Sequence, residues 1–173
     1  RRNPADGGAE PGARLAHSIT CIGNAPGERE EEDMYKILVV DDDSDTRLLL
    51  GKMLKHARYT VVEATDGDEG VSASLAYDPD IVLMDIVMPR MDGFKALVAL
   101  KRDPRIRHIP VIMVTGRDHP DDLATARSLG AHNFINKPWA HGEVELRVQW
   151  AITSVERLRK RAEEQLKQQR LAG

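Results

Sequence analysis

Polar side chains follow four short, mostly apolar segments of this chain, at the point where each segment ends. The segments are residues 36–40, 80–84, 109–114 and 134–136, and the residues that follow them are Asp41, Asp42 and Asp43, then Asp85, Thr115 and Lys137. If the segments are parallel strands, their carboxyl ends share one edge of a sheet, where ligands bind. Acids, a hydroxyl and an ammonium group would then meet there, and this combination suits a divalent cation and a phosphoryl group.

The adjacent acids Asp41 and Asp42 indicate a metal ion more than helix capping. Asp43 or Ser44 could cap the next helix, but two further carboxylates at the end of a buried strand repel each other and lose hydration. Such a pair persists best beside a cation, and Mg²⁺ takes one or two carboxylates together with phosphate oxygens. Because alternate strand residues face opposite sides, Asp41 and Asp42 are expected to have unequal roles.

Asp85 is the candidate nucleophile. It follows a strongly hydrophobic segment and precedes a loop that turns at Asp92 and Gly93. A carboxylate held beside a cation can attack phosphorus and form an acyl phosphate, whereas the simpler interpretation is an aspartate that only caps the loop. Lys137 can neutralise phosphoryl charge, and the Lys137–Pro138 bond is a candidate cis peptide at a tight turn.

Strand and helix patterns alternate from residue 36 onward. The expected strands are 36–40, 59–64, 80–84, 110–114 and 132–135, and the expected helices are 45–57, 67–77, 93–101, 120–129 and about 142–170. Five such repeats with short connectors predict an α/β fold with a parallel sheet covered on both faces. Ser44 and Asp66 are the predicted caps of the first two helices, and the first helix carries Leu48, Leu49, Met53 and Leu54 at helical spacing.

Composition limits the class of protein. The 173 residues suffice for one domain with appendages, and 31% charged against 4% aromatic residues predict an aliphatic core. The net charge of −3 gives little support for nucleic-acid binding. No apolar run approaches the ~20 residues that span a bilayer, and Cys21 is the single cysteine, so no membrane contact and a reducing cytoplasm are expected.

The two ends differ from the middle. Residues 1–33 lack an apolar period and are expected to be a disordered leader, either upstream of a native start at Met34 or a genuine flexible tail. Residues 156–173 form a predicted helical extension. A narrow apolar stripe that begins at Val155 and continues into the extension with Leu158, Ala162 and Leu166 favours a coiled coil or linker, and a frayed, solvated end is the alternative.

The chain resembles the receiver domain of bacterial two-component response regulators over about residues 35–155. The resemblance depends on an ordered set of residues: Asp41-Asp42, Asp85, Met88-Pro89, Asp92-Gly93, Thr115 and Lys137-Pro138. It implies a flavodoxin-like (βα)5 fold, doubly wound, with strand order 2-1-3-4-5. A receiver domain is a signalling module that accepts a phosphoryl group and not an enzyme with turnover.

The resemblance also implies a role for each site residue. Asp85 would accept the phosphoryl group from a phosphohistidine of a sensor histidine kinase or phosphotransfer protein, and Thr115 and Lys137 would bind its oxygens. Mg²⁺ would be held by the side chains of Asp42 and Asp85, by Asp41 mainly through water, and by the backbone carbonyl of Val87.

Further implied roles concern switching and lifetime. Thr115 would move toward the phosphoryl group and Phe134 would turn inward, which changes the surface of the fourth helix, fifth strand and fifth helix. Val87 and Arg117 would flank the approach of water to the acyl phosphate. Because an apolar Val87 cannot orient water, slow autodephosphorylation is expected. The signal would pass to an output domain or effector that the sequence does not identify, with a homodimer through the last helix as one possibility.

Two other functions are compatible with parts of the pattern. A haloacid dehalogenase-type phosphatase also uses an aspartate, Mg²⁺, a threonine and a lysine, but Thr46 stands one place too late for its signature and only helix follows Lys137. A degenerate receiver would act as a phosphorylation-independent interaction module. Trp139 and Trp150 are expected to pack against the sheet edge and the last helix.

Overall fold

Five strands and five helices alternate along the chain. The computed structural model describes residues 34–116 and 120–171, so the expected leader at residues 1–33 lies outside the described part. The elements are β1 (Lys36–Val40), α1 (Ser44–His56), β2 (Thr60–Ala64), α2 (Gly67–Tyr77), β3 (Ile81–Asp85), α3 (Gly93–Arg102), β4 (Val111–Thr115), α4 (Pro120–Ser128), β5 (Asn133–Asn136) and α5 (Glu143–Leu171). All ten expected elements are present, and their ends differ from expectation by one residue at most.

The strands form one parallel sheet in the order β2-β1-β3-β4-β5. α1 and α5 cover one face, where Leu50 and Leu54 pack with Val148. α2, α3 and α4 cover the other face, where Ala73 and Leu97 belong to the second buried cluster. The predicted doubly wound α/β fold with strand order 2-1-3-4-5 is therefore confirmed.

Alternate residues of the inner strands feed the two cores. In β1, Leu38 and Val40 belong to one cluster, and Ile37 and Val39 belong to the other. All residues of β3 and β4 are buried, whereas the edge strands β2 and β5 are partly exposed. Continuous apolar segments are thus the expected sequence for strands covered on both sides.

Aspartates cap the first three helices. Asp43 accepts a hydrogen bond from the N–H of Asp45, so it caps α1 in place of the predicted Ser44. Asp66 caps α2, as predicted, and Asp92 caps α3 by accepting from Lys95. Each cap satisfies a backbone N–H that would otherwise have no partner in the first turn.

The buried side of α1 differs from the expected one. Leu48 and Leu49 are about half exposed, while Leu50, Gly51 and Leu54 are buried against the sheet. Trp139 packs against the cluster beneath α1 and α5, as expected, but Trp150 on α5 is half exposed. The correction to α1 reflects helix phase, because three consecutive leucines are compatible with more than one buried side.

α5 is a 29-residue helix that continues beyond the sheet. Its buried residues, Val144, Val148, Ala151 and Ile152, all lie in its first ten positions. Beyond them, the hydroxyl of Tyr35 donates to Glu156, and Arg159 pairs with Asp80 near the start of β3. Within residues 34–116 and 120–171, no helix is long and apolar enough to cross a membrane.

Candidate functional site

Strand register brings the predicted site residues to one edge of the sheet. Val40 lies opposite Met84, so Asp41, the next residue, is level with Asp85. Asp85 lies opposite Val114, and the residue after Val114 is Thr115. On the far side, the N–H of Lys137 donates to the carbonyl of Thr115 at 2.8 Å. The predicted convergence at the carboxyl edge is therefore a direct result of parallel pairing.

Three carboxylates form a cluster at this edge. Asp41, Asp42 and Asp85 each offer an oxygen atom, and these atoms lie within 4.8 Å of one another. Asp41 is buried, Asp42 is exposed, and Asp85 is buried at 7% exposure, so the two adjacent acids do occupy unequal positions. Oδ1 of Asp41 also accepts from the N–H of Asp43 at 2.9 Å, which fixes the turn after β1.

Lys137 reaches into this cluster from the turn after β5. Its Nζ atom lies 2.6 Å from Oδ2 of Asp41 and 3.2 Å from Oδ2 of Asp85. The Lys137–Pro138 peptide bond is cis, in agreement with the tight turn expected from the sequence. One ammonium group thus neutralises part of the charge of two buried acids.

Burial and charge pull on the pKa of Asp85 in opposite directions. Desolvation raises this pKa, the ammonium of Lys137 lowers it, and the neighbouring carboxylate of Asp41 raises it again, with a net rise. For Lys137, burial lowers the pKa, but hydrogen bonds and attraction to Asp41 and Asp85 outweigh burial, so the net shift is upward. The carboxyl edge of the sheet therefore places the charged ammonium of Lys137 beside Asp85, a carboxyl group that is harder to ionise than usual.

The donor set fits a magnesium ion. Mg²⁺ prefers hard oxygen ligands and usually takes one or two carboxylates with water or phosphate oxygens. The three clustered carboxylates provide such oxygens, with one acid exposed to solvent on the side where water could complete the shell. A raised pKa at Asp85 adds to this fit, because a cation at that position would stabilise the ionised form.

The loop from β3 to α3 is closed tightly behind Asp85. The N–H of Gly93 donates to the carbonyl of Ile86 at 2.9 Å, and the N–H of Ile86 donates to Oδ1 of Asp85 at 2.8 Å. A Cβ atom on Gly93 would lie 2.0 Å from the carbonyl oxygen of Asp85, so the close approach requires glycine. Val87 lies on this loop and is half exposed to solvent.

The residues predicted to switch are buried to different degrees. Thr115 is fully buried at the end of β4. Phe134 is partly buried against the core cluster beneath α2, α3 and α4, and the guanidinium of Arg127 lies 5.7 Å from its ring centroid. Arg117, which is predicted to affect the lifetime of the acyl phosphate and not the switch, lies outside the described residues.

Sequence reasoning missed three arginines near this edge. Arg47 donates to the backbone carbonyl of Asp41 at 2.7 Å, Arg127 covers Phe134, and Arg90 pairs with Asp66. The backbone of Arg90 has a φ of 61°, which is uncommon for a residue other than glycine. No local pattern pointed to these contacts, because each depends on the path of a loop or on how a helix is rotated against the sheet.

Comparison with known proteins agrees with this geometry. The model of the response regulator receiver domain family matches residues 37–149, which span β1 to the first part of α5. The chain belongs to this family. The match is to the receiver domain and leaves the phosphatase alternative without support.

Individual relatives show the same relationship. Protein PilH of Pseudomonas aeruginosa is 39% identical over 105 residues, which cover 61% of this chain and 87% of PilH. The structure of the chemotaxis protein CheY4 of Vibrio cholerae matches with a TM-score of 0.65 and 27% identity, over 68% of this chain and 98% of CheY4. The probable transcriptional regulator ycf27 of Porphyridium aerugineum is 33% identical over 122 residues, 70% of this chain. The chain spans about half the length of ycf27, with 50% covered.

Proposed function

We propose that this receiver domain is switched by phosphorylation of Asp85. The observation that carries the proposal is the contact of Lys137 with both Asp41 and Asp85, inside a cluster of three carboxylates. The donor would be a phosphohistidine of a sensor histidine kinase or of a phosphotransfer protein, in the cytoplasm. The domain is expected to relay a signal and to have no catalytic turnover beyond its own phosphorylation and dephosphorylation.

Transfer would exchange one bond to phosphorus for another. An oxygen of the ionised Asp85 carboxylate forms the new bond, while the bond from phosphorus to the histidine nitrogen breaks and leaves its electron pair on the imidazole. The carboxylate must be ionised to attack, so the ammonium of Lys137, which favours ionisation, opposes the effect of burial. Lys137 and the hydroxyl of Thr115 would then hold the phosphoryl oxygens.

Asp42 and Asp85 would hold Mg²⁺ through their side chains, Val87 through its backbone carbonyl and Asp41 mainly through water. The bound ion would neutralise charge that builds up between the acids and the phosphoryl group. Asp41 has a second task, because it already anchors Lys137 and the turn at Asp43. An exposed Asp42 beside a buried Asp41 is consistent with this division of roles.

Labelling with a small phosphodonor tests the proposal. The full chain is incubated with acetyl phosphate and Mg²⁺, and the added phosphoryl mass is measured by intact-protein mass spectrometry. We expect one phosphoryl group on the wild type, none on Asp85→Asn, and normal labelling of Asp68→Asn, which removes an exposed acid in the first turn of α2. If the wild type is not labelled and does not respond to beryllofluoride, the result would instead support the phosphorylation-independent interaction module.

The signal is proposed to leave through the surface of α4, β5 and α5. Thr115 would move toward the phosphoryl group, and Phe134 would turn inward. The guanidinium of Arg127 in α4 lies 5.7 Å from the centroid of the Phe134 ring, so a movement of the ring would be felt directly by α4, which supports this route. A change in the NMR signals of α4 upon addition of beryllofluoride, lost in Phe134→Ala, is the expected result.

Residues 35–155 are proposed to form the receiver domain, with residues 156–173 as an extension that pairs with a second chain or leads to an output domain or effector. Leu158 and Leu166 are more than half exposed on a helix that has left the sheet. Sedimentation is expected to show a dimer whose mass or shape changes with beryllofluoride. Leu166→Glu should weaken the dimer, and Leu171→Glu, outside the apolar stripe, should not; equal behaviour of both variants would argue against this interface.

A further inference from the structure

The loop between β3 and α3 is attached to the turn before α2 at two points. The guanidinium of Arg90 forms an ion pair with the carboxylate of Asp66. The N–H of Gly67 donates to the carbonyl of Met91 at 3.1 Å. Both attachments lie a few residues after Val87, at Arg90 and Met91.

The anchor for this attachment is rigid. The side chain of Asp66 is only 3% exposed and caps α2 by accepting from the N–H of Glu69 at 2.9 Å. A buried carboxylate needs compensation by hydrogen bonds or a cation, and Arg90 provides a cation. Gly67 fits closely too, because a Cβ atom there would lie 2.7 Å from the carbonyl oxygen of Met91.

The backbone of Arg90 favours a smaller residue. Its φ of 61° lies in the left-handed region, which glycine and asparagine adopt with less strain than other residues. The left-handed backbone conformation does not favour arginine over other residues. The contribution of Arg90 to the structure of the loop therefore comes from its side chain. The ion pair with Asp66 is the contact that the side chain makes.

We propose that Asp66 and Arg90 are positioning residues for the Mg²⁺ site, which they serve by holding the backbone carbonyl of Val87 in place. This inference rests on the proposed function, in which Val87 is a metal ligand. The bond between Gly93 and Ile86 fixes the start of the loop, and the Arg90 pair fixes its far side. Residues 87–89 then span two fixed points, and without the pair only the hydrogen bond from Gly67 to Met91 still holds the second one.

Electrostatics alone predicts the opposite result for loss of Arg90. Removal of a positive charge near a cluster of acids should strengthen the binding of a divalent cation. Loss of a positional restraint on a ligand should weaken it, and outer contacts of metal ligands typically contribute about 10-fold or more in affinity. The sign of the change therefore distinguishes a positioning role from a charge effect.

The test is calorimetric titration of the full chain with MgCl₂. Arg90→Asn suits the left-handed backbone and removes the cation, and we expect its Mg²⁺ affinity to fall about 10-fold. Arg90→Lys should show a smaller loss because it keeps the charge. Lys95→Ala is the matched control: it removes a cation that pairs with Asp92 at 2.9 Å and is 71% exposed, and its affinity should stay unchanged or rise slightly.

A second variant tests whether the two residues act as a unit. Asp66→Asn retains an oxygen that can cap α2, and Arg90→Asn combined with Asp66→Asn should bind Mg²⁺ no more weakly than the weaker single variant. Thermal unfolding in EDTA checks that all variants fold. Unchanged or tighter Mg²⁺ binding by Arg90→Asn would overturn the inference, as would an equal loss in Lys95→Ala. A wild type that binds no Mg²⁺ at millimolar concentration would instead reject the proposed function itself.

Discussion

The Nζ atom of Lys137 lies 2.6 Å from Oδ2 of Asp41, a residue 96 positions earlier in the chain. Asp41 is buried just after the end of β1, and Lys137 follows β5, the strand at one edge of the sheet. The contact therefore spans the sheet from its second strand to its last and passes over Asp85, which lies 3.2 Å from the same nitrogen. A single cation joins the proposed metal site to the proposed phosphoryl acceptor.

Removal of this cation is expected to destabilise the metal-free protein. Lys137→Met leaves two buried carboxylates close together, and loss of one partner of a largely buried ion pair costs about 2 kcal/mol in the free energy of unfolding. Urea unfolding in EDTA measures this cost, and Mg²⁺ should restore part of it because the ion neutralises the same acids. Lys95→Met breaks an exposed pair and should change stability by less than ~0.5 kcal/mol. Equal effects of both substitutions would contradict the role of Lys137.

The pKa of Asp85 predicts how stability depends on pH without metal. Burial holds this pKa above its ordinary value of 3.8, so the folded protein binds more protons than the unfolded chain between the two values. The free energy of unfolding then falls as the pH rises through that window. Asp85→Asn cannot ionise, so in EDTA it should be more stable than the wild type at pH 7, and this difference should close as the pH falls below 3.8.

Asp103→Asn serves as a control of opposite sign. The hydrogen bond from Arg105 lowers the pKa of Asp103 to about 2, so its contribution to stability is present above the ordinary value and is lost as the pH falls toward 2. This variant should be less stable than the wild type at pH 7, and the difference should shrink in acid. Thermal unfolding from pH 2.5 to 8 measures both variants. Parallel curves for Asp85→Asn and the wild type would show that burial does not raise the pKa of Asp85.

The positions of Asp85, Thr115 and Lys137 were predictable because they depend on a rule of topology. Parallel strands place their carboxyl ends at one edge, so a polar residue at each strand end needs no knowledge of the strand order to be assigned there. The apolar segments themselves followed from burial on two faces. The sequence therefore carried both the fold class and the convergence of the site.

The contacts of Arg90 and Arg127 were not predictable on the same basis. Arg90 meets Asp66 only because the loop after β3 turns back toward α2, and Arg127 meets Phe134 only because of the phase of α4 against β5. The predicted buried side of α1 was wrong for a related reason. Leu48, Leu49 and Leu50 are equally apolar, and tertiary packing decides which one is buried. Sequence patterns therefore predict where strands end better than they predict which side of a helix faces the sheet.

Gly93 is expected to tolerate no side chain. A Cβ atom there would lie 2.0 Å from the carbonyl oxygen of Asp85 and 3.0 Å from Cα of Ile86, and backbone atoms cannot move aside as a flexible side chain can. Gly93→Ala should lower the free energy of unfolding by about 3 kcal/mol and reduce labelling of Asp85 by acetyl phosphate. At Gly116, a Cβ atom would meet nothing within 4 Å, so Gly116→Ala should cost less than ~0.5 kcal/mol. Similar stability of the two variants in urea would show that the loop can relax.

Val87 is expected to set the lifetime of the phosphorylated state. Its side chain is apolar and the residue is half exposed two positions after Asp85, so it can neither orient nor activate a water molecule there. The phosphorylated wild type should persist for minutes or longer once the donor is removed. Val87→Asn adds an amide that can position water, and it should shorten the half-life about fivefold, a modest share of the effect of a full acid–base group.

Intact-protein mass spectrometry after rapid desalting into Mg²⁺ buffer follows this decay. Leu171→Asn makes the same kind of substitution at an exposed leucine near the end of α5, so its half-life should match that of the wild type. The two variants share an aliphatic-to-amide change and differ in distance from the acyl phosphate, so a difference between them isolates the effect of position. A wild-type half-life of seconds, or a Val87→Asn protein that decays at the wild-type rate, would mean that water reaches the phosphoryl group along a path that Val87 does not control.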